Sequence, residues 1–444
     1  MKLKLFFIAL LLLNLIPINH VLADGFFHAY DSNTVKWELI NEGQQLVAIN
    51  YDHGVQSMIL AVGISWLKGE KAVWMFPVPA SSNNTFVDLV EEFPYLFGDD
   101  VKEVTRKSIS EGLWATTLSQ VYPIFPFSFI SGTFTGKTYR DLTIHQHIEK
   151  AGMTVELVST KDSDSLYNYL TDKGLDLPLE SKAILNEYVG KDYSFVICWI
   201  SNVTQFNQAL GQDIYGRISN LIGVYISFPT DKIYFPLKPT SVYSNMKVPI
   251  SIYVIGHVTP DLYPEIRQGS QVNYLFQEFY LVPNELSSFF NWKTRIEGLK
   301  YTEIEINAPS ENFKEDLWIK NSAPLYIAFV DFLNTNGLFL IIIVFALDSC
   351  LASLLSGMIV FRDGCLSKKK LFLFGLWNFL TLIGFCIATI FLKTKKLNPK
   401  LEKELKSYGS VIISDSRKFL FVFLFTLFFL GINLCFQALF NVII

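Results

Sequence analysis

The feature that most constrains this chain is residues 337–361, GLFLIIIVFALDSCLASLLSGMIVF, with one charge, Asp348, and Arg362 directly after it. At about 1.5 Å per residue this run is long enough to cross a hydrocarbon core of about 30 Å. Two more apolar runs follow, 371–392 and 419–440. Each is close to the roughly 20 residues a crossing requires. The tail therefore reads as an all-α membrane part of about three transmembrane helices. What precedes it reads as a separately folded domain.

Charge divides the chain in the same place. Residues 337–444 carry 12 basic and 5 acidic residues, whereas 24–336 carry 23 basic and 36 acidic. An acidic domain excludes nucleic-acid binding through a basic face. It reads as a solvated outer surface above a membrane base. The beginning fits export. Lys2 and Lys4 precede an apolar run at 5–16, and Val21-Leu22-Ala23 supplies a cleavage pattern before Asp24. This describes a signal peptide over 1–23, with an uncleaved anchor as the other reading. Either places the next domain outside the cytoplasm, in the cell envelope. Only Cys198 of the five cysteines falls within 24–336, so this region cannot form an internal disulfide and depends on its own core.

Residues 24–320 read as an α+β, strand-rich extracytoplasmic domain of one or two subdomains. Apolar and β-branched runs at 46–49 and 57–66 flank the turn signal Asp52-His53-Gly54. In 72–80, Pro77 and Pro79 require a strand that leaves its ladder or lies on an edge. Residues 85–93 read as a helix, with Phe86, Leu89, Val90 and Phe93 at helical spacing and Pro94 as its stop. The aromatic stretch 122–129 reads as a buried irregular crossing, with an exposed binding strip as the sharper alternative. Next come strands at 142–149 and 153–159 and a helix capped around Asp162. A second helix opens at Pro178, and a buried strand, DYSFVICWI, covers 192–200. Residues 321–336 form a juxtamembrane connector.

The pattern at 23–27, 44–52 and 72–80, with its WMFPVP, resembles an uncharacterised family of exported prokaryotic proteins, domain of unknown function family 2330. Residues 165–170, 188–190, 195–197 and 235–241 resemble it too, so the similarity spans 24–260 and stops short of the membrane part. The resemblance implies export and a shared fold, and it brings no catalytic residues. Family members often carry Cys near the position of Asp24, so no anchor or disulfide transfers to this chain.

Few residues are candidates for chemistry. His145, His147 and Glu149 alternate along a strand and share one face, which could hold a divalent metal. The plainer reading is a polar edge. His28, His53 and His257 could add ligands only if the fold gathers them. Cys198 lies among apolar neighbours and reads as an inert small hydrophobe. The sequence has no nucleophile elbow, phosphate-binding loop, H-E-x-x-H or C-x-x-C. No cofactor is expected, and the chain reads as a non-enzyme. Asn83 and Asn202 begin glycosylation patterns.

In the membrane part, Asp348 is the costly residue. An ionisable group at mid-span costs about 2.5–3.5 kcal/mol on insertion scales, so it should face protein. Asn378, Asn433 and Gln437 are its available polar partners. Ser349, Ser353 and Gly357, with Ala352 and Ser356, form a small-residue stripe that lets another helix approach. Sidedness poses a conflict. The loop 362–370 has a net charge of +3 and the loop 393–418 has +5. Both belong in the cytoplasm by the positive-inside bias. Three full crossings, the preferred arrangement, give a cytoplasmic C-terminus but put the second loop outside. If 371–392 instead dips in and returns, both loops lie inside and the C-terminus outside.

Three functions fit. The first is a membrane-anchored envelope protein whose outer domain binds a partner protein or surface polymer. The second is a subunit of a transport or sensing complex using Asp348. The third is a metal-dependent surface enzyme. The lipid bilayer is the one partner common to all.

Overall fold

The structure, a computed structural model, describes residues 26–31, 36–39, 45–62, 72–120, 147–160, 162–172, 179–209, 222–243, 247–362, 366–392 and 415–444. The signal segment, the aromatic stretch 122–129, His145 and most of the second basic loop lie outside the described residues. The chain forms two compact units: 1–99 with 136–324, and 100–135 with 325–444. The helix Val101–Leu118, which falls within 24–320, belongs to the second of these units.

In the strand-rich unit one sheet runs Lys36–Leu39, Phe26–Asp31, Ala72–Val78, Ser194–Ile200, Met153–Val158, His147–Lys150. Alternation explains how it is buried on both faces. Trp74, Phe76, Val78, Val196, Cys198 and Ile200 enter the main core with Val47, Ile49, Met58 and Leu60 of the second sheet. Val73, Met75, Phe195 and Ile197 turn the other way, toward Leu166 and Leu170 of the helix Ser163–Asp172 and toward Leu185 and Tyr188. Pro77 pairs with Phe195 on one side, while on the other the pairing to Phe26–Asp31 stops at Met75. Among the described residues no strand pairs with Pro77 on that side, where a missing donor is tolerated. Burial pushes the Cys198 thiol up, which keeps it unreactive.

The second sheet runs through Phe86–Val90, Ile222–Pro229, Val55–Val62, Gln45–Asp52, Ile250–Ile255, Arg295–Ile306 and Ser270–Leu281. Gln45–Asp52 and Ile250–Ile255 are parallel. The helix expected over 85–93 is not formed. Phe86–Val90 is a strand beside Ile222–Pro229, with Val87 and Leu89 buried in the main core. Its short apolar pattern suits either period, and sheet pairing decides. Conversely, the helix Val101–Leu118 escapes a search for apolar periodicity, because two of its buried positions are Thr105 and Thr116.

A polar cluster joins the helical layer to a small sheet of Ile233–Phe235, Leu317–Lys320 and Thr259–Pro260. Asp316 accepts hydrogen bonds from the Tyr188 hydroxyl (3.0 Å), the Tyr234 hydroxyl (3.0 Å) and the Lys238 amide (3.1 Å). The buried Gln56 side chain holds the Tyr234 backbone at both its N–H and its carbonyl. Burial outweighs the three donors and pushes the Asp316 carboxyl above the usual carboxylate range. A carboxyl raised by folding contributes stability that is full below its unfolded value and lost as pH rises through its folded value. Asp316→Asn should therefore gain melting temperature relative to the natural protein as pH rises from about 4. A series of melts across pH checks this; a relative loss for the variant would mean the ionised form is the stabilised one.

Candidate functional site

The second unit is helical. Three of its segments are long and apolar enough to cross a membrane: Gly337–Val360, Lys368–Ile390 and Ser416–Ile443. The first and third are antiparallel partners. Phe345 meets Phe429 (ring centroids 5.6 Å) and, farther along, Phe361 meets Phe421 (5.2 Å). At the other end the Tyr326 hydroxyl donates to the Ile444 carbonyl at 2.9 Å.

The middle segment is not straight. It consists of the helix Lys368–Phe374, a 3₁₀ stretch Gly375–Leu380 and the helix Thr381–Ile390. The break falls at Thr381, whose φ of 67° lies in a region that β-branched residues avoid. Phe374 and Phe385 have ring centroids 5.3 Å apart, although eleven residues of straight helix would separate them by about 16 Å. Phe421 touches both rings, and Lys418 donates to the Ile390 carbonyl. The segment is therefore a helical hairpin whose two ends lie together. Its inward arm, seven α-helical and six 3₁₀ residues, reaches about 22 Å, short of a full crossing.

Small residues let this hairpin seat against the first helix. A Cβ on Gly375 would lie 2.3 Å from the Ser349 carbonyl oxygen, and one on Gly357 would lie 2.4 Å from the Leu371 side chain. Ser353 donates to the Leu371 carbonyl at 2.7 Å, and Asn378 donates to the Ser349 hydroxyl at 2.9 Å. Ser349, Ser353 and Gly357 thus all face the hairpin.

Asp348 lies one residue around the same helix. It is fully buried, and neither carboxyl oxygen has a hydrogen bond of normal geometry. The Asn433 side chain of the third segment faces it. Asn433 donates to Thr116 (2.9 Å) and accepts from Thr117 (3.1 Å) and Gln437 (3.2 Å). The polar centre is therefore built by three helices, one of which, Val101–Leu118, comes from far upstream in the sequence. Its Thr116 and Thr117 were not among the residues singled out by sequence. Polar side chains ending a charged, amphipathic helix gave the only signal. Asn378 lies on the hairpin side of the first helix, bonded to Ser349, and its own Oδ1 is buried without a hydrogen bond.

The other candidates are scattered. Among the described residues no group of three or more His, Cys, Asp or Glu could hold a metal ion. Of the trio at 145–149, His147 pairs in register with Glu156, and Glu149 is exposed opposite Thr154. His53 is exposed beside Asp52, with its Nδ1 2.5 Å from the carboxylate, and the buried His257 lies 3.1 Å from the Leu275 carbonyl. Asn83 is exposed in a 3₁₀ turn. Asn202 is exposed at a helix start, where it accepts from the Gln205 amide.

A bulky residue at position 375 should unseat the hairpin. Gly375→Val would push into backbone rather than a flexible side chain, and overpacking of this kind costs about 1–3 kcal/mol or more. A lower melting temperature of the purified protein, with a proteolytic cut newly appearing near 375–381, is the expected result. Gly190→Ala, where a Cβ meets nothing within 4 Å but φ is 79°, separates packing from backbone strain.

Comparison with curated proteins and with solved structures returned no similar one. The family DUF2330, described as an uncharacterized protein conserved in bacteria, matches residues 35–274, more than half of the chain. The match runs from the first sheet through most of the second, takes in the helix Val101–Leu118, and ends before the apolar helices. By that span of sequence, the chain belongs to the DUF2330 family of uncharacterized bacterial proteins.

Proposed function

We propose that this is a membrane-anchored cell-envelope protein that carries its strand-rich unit outside the cytoplasm, where that unit binds a partner protein or surface polymer. One observation carries the reading. Because the middle segment doubles back, Phe361, Lys370, Ile390 and Lys418 all come to one end of the helical unit. Both basic loops, of net charge +3 and +5, leave from that end. The positive-inside bias then assigns it to the cytoplasm without conflict. Leu325, the strand-rich unit that precedes it and the C-terminus belong to the opposite side. This favours the dip-and-return arrangement over three full crossings with a cytoplasmic C-terminus.

Membrane-impermeant maleimide labelling in intact cells tests it. On a cysteine-free background, Asn83→Cys and a cysteine added after Ile444 should react from outside. Lys403→Cys should react only after permeabilisation. A C-terminal cysteine shielded in intact cells, with Lys403→Cys reactive, would restore three full crossings.

A second reading, a subunit of a transport or sensing complex, is favoured by the fully buried carboxyl of Asp348, which faces the neutral Asn433 side chain. Asn has the same shape and no charge. If Asp348 serves only to pack helices, Asp348→Asn should keep the protein's abundance and its co-purifying proteins. Under the coupling reading the variant is equally abundant and folded but loses a partner or alters growth. Asp348→Lys should fail to accumulate in either case, since it buries a long charged chain. Quantitative proteomics of native membranes from the three strains distinguishes the readings.

A further inference from the structure

The hairpin leaves an apolar cleft between its two arms, with a volume of about 420 Å³, inside the roughly 300–1,000 Å³ range of small-molecule sites. Leu371 and Phe374 line it from one arm, and Gly384, Ile387 and Phe391 line it from the other. A Cβ on Gly384 would lie 2.9 Å from the Trp377 carbonyl oxygen, so the arms touch near the tip. Lys370 lines the open end. It is exposed, and no carboxylate pairs with it among the described residues. Ile387 and Phe391 are exposed as well, so the cleft opens sideways from the helical unit, where a membrane protein meets acyl chains.

We infer that this cleft is a binding site for one anionic phospholipid, with an acyl chain between the arms and the phosphate against Lys370. The apolar walls fit a hydrocarbon chain. Lys370, the cation among the described residues that line the cleft, selects the charge of the lipid. A zwitterionic lipid carries its own cation to its phosphate and gains less from Lys370. Lys368 and Lys369, also exposed, add general attraction to an anionic surface but do not line the cleft.

Native mass spectrometry of the full-length protein tests the site, after release from nanodiscs holding equal amounts of phosphatidylglycerol and phosphatidylcholine with identical chains. Phosphatidylglycerol should be retained about five-fold over phosphatidylcholine, the effect of one basic residue near the surface. Lys370→Gln, which leaves the packing of the hairpin alone, should bring the ratio near one while total bound lipid stays constant. Ala388→Trp, which fills the cleft, should lower retention of both lipids. Equal retention by the natural protein overturns the proposal. So does loss of the preference in Lys368→Gln or Lys369→Gln but not in Lys370→Gln, which would reassign it to the loop. A second copy of the chain retained in place of lipid also overturns it. The natural ratio and Lys370→Gln decide the matter even if Ala388→Trp fails to fold.

Discussion

The helical unit depends on one close approach, the seating of Gly375 against the carbonyl of Ser349. Backbone meets backbone there, and no side chain can be inserted without moving a helix. In a bilayer, apolar side chains gain little from leaving lipid, so helices are held by close packing and by hydrogen bonds between them. Both are present here. The Gly375 and Gly357 contacts supply the packing, and Ser353 to Leu371 and Asn378 to Ser349 supply the bonds. Interrupted helix is tolerated at this depth only where protein covers it. One face is covered: Gly375 and Asn378 of the 3₁₀ stretch and Thr381 at its end are buried, while Leu376, Trp377, Phe379 and Leu380 turn apolar side chains outward.

A different logic holds the strand-rich unit. The strands Ala72–Val78 and Ser194–Ile200 lie between two apolar layers, and each alternate residue belongs to a different one. That is how a unit with a single cysteine among its residues 24–324 gains buried area: its central strands have no solvated face. The Asp316 cluster then links the helical layer to the small sheet through two tyrosine hydroxyls and a backbone amide. It comes at an electrostatic cost, which its raised carboxyl records.

Much of this was legible in the residues. Long apolar runs announced the three apolar helical segments, and short apolar runs at 46–49 and 192–200 announced strands, the second of them buried. The small stripe in the first helix announced a close neighbour without saying which helix it was. Hydropathy could not reveal that 371–392 turns back, because length and composition are the same for a crossing and a hairpin. Charge did hold a trace of it, since two basic loops cannot both be cytoplasmic if the segment between them crosses. The strand at Phe86–Val90 was misread because four apolar residues fit two periods. The helix Val101–Leu118 was overlooked because threonines take buried positions that leucine usually fills. Its role at Asn433 is a contact across more than three hundred residues, which no local pattern encodes.

That long-range contact has a bearing on assembly. Synthesis runs from the N-terminus, so the helix Val101–Leu118 emerges more than two hundred residues before the helix Gly337–Val360 that it packs against. Until then Thr116 and Thr117 have only the Leu113 carbonyl of their own helix and water as partners. The strand-rich unit is built from chain on both sides of this helix, so the sheets can form while it waits. Completion of the last helix, which carries Asn433, is then the event that closes the membrane unit, and a chain truncated before residue 415 would leave both the waiting helix and Asp348 without their common partner.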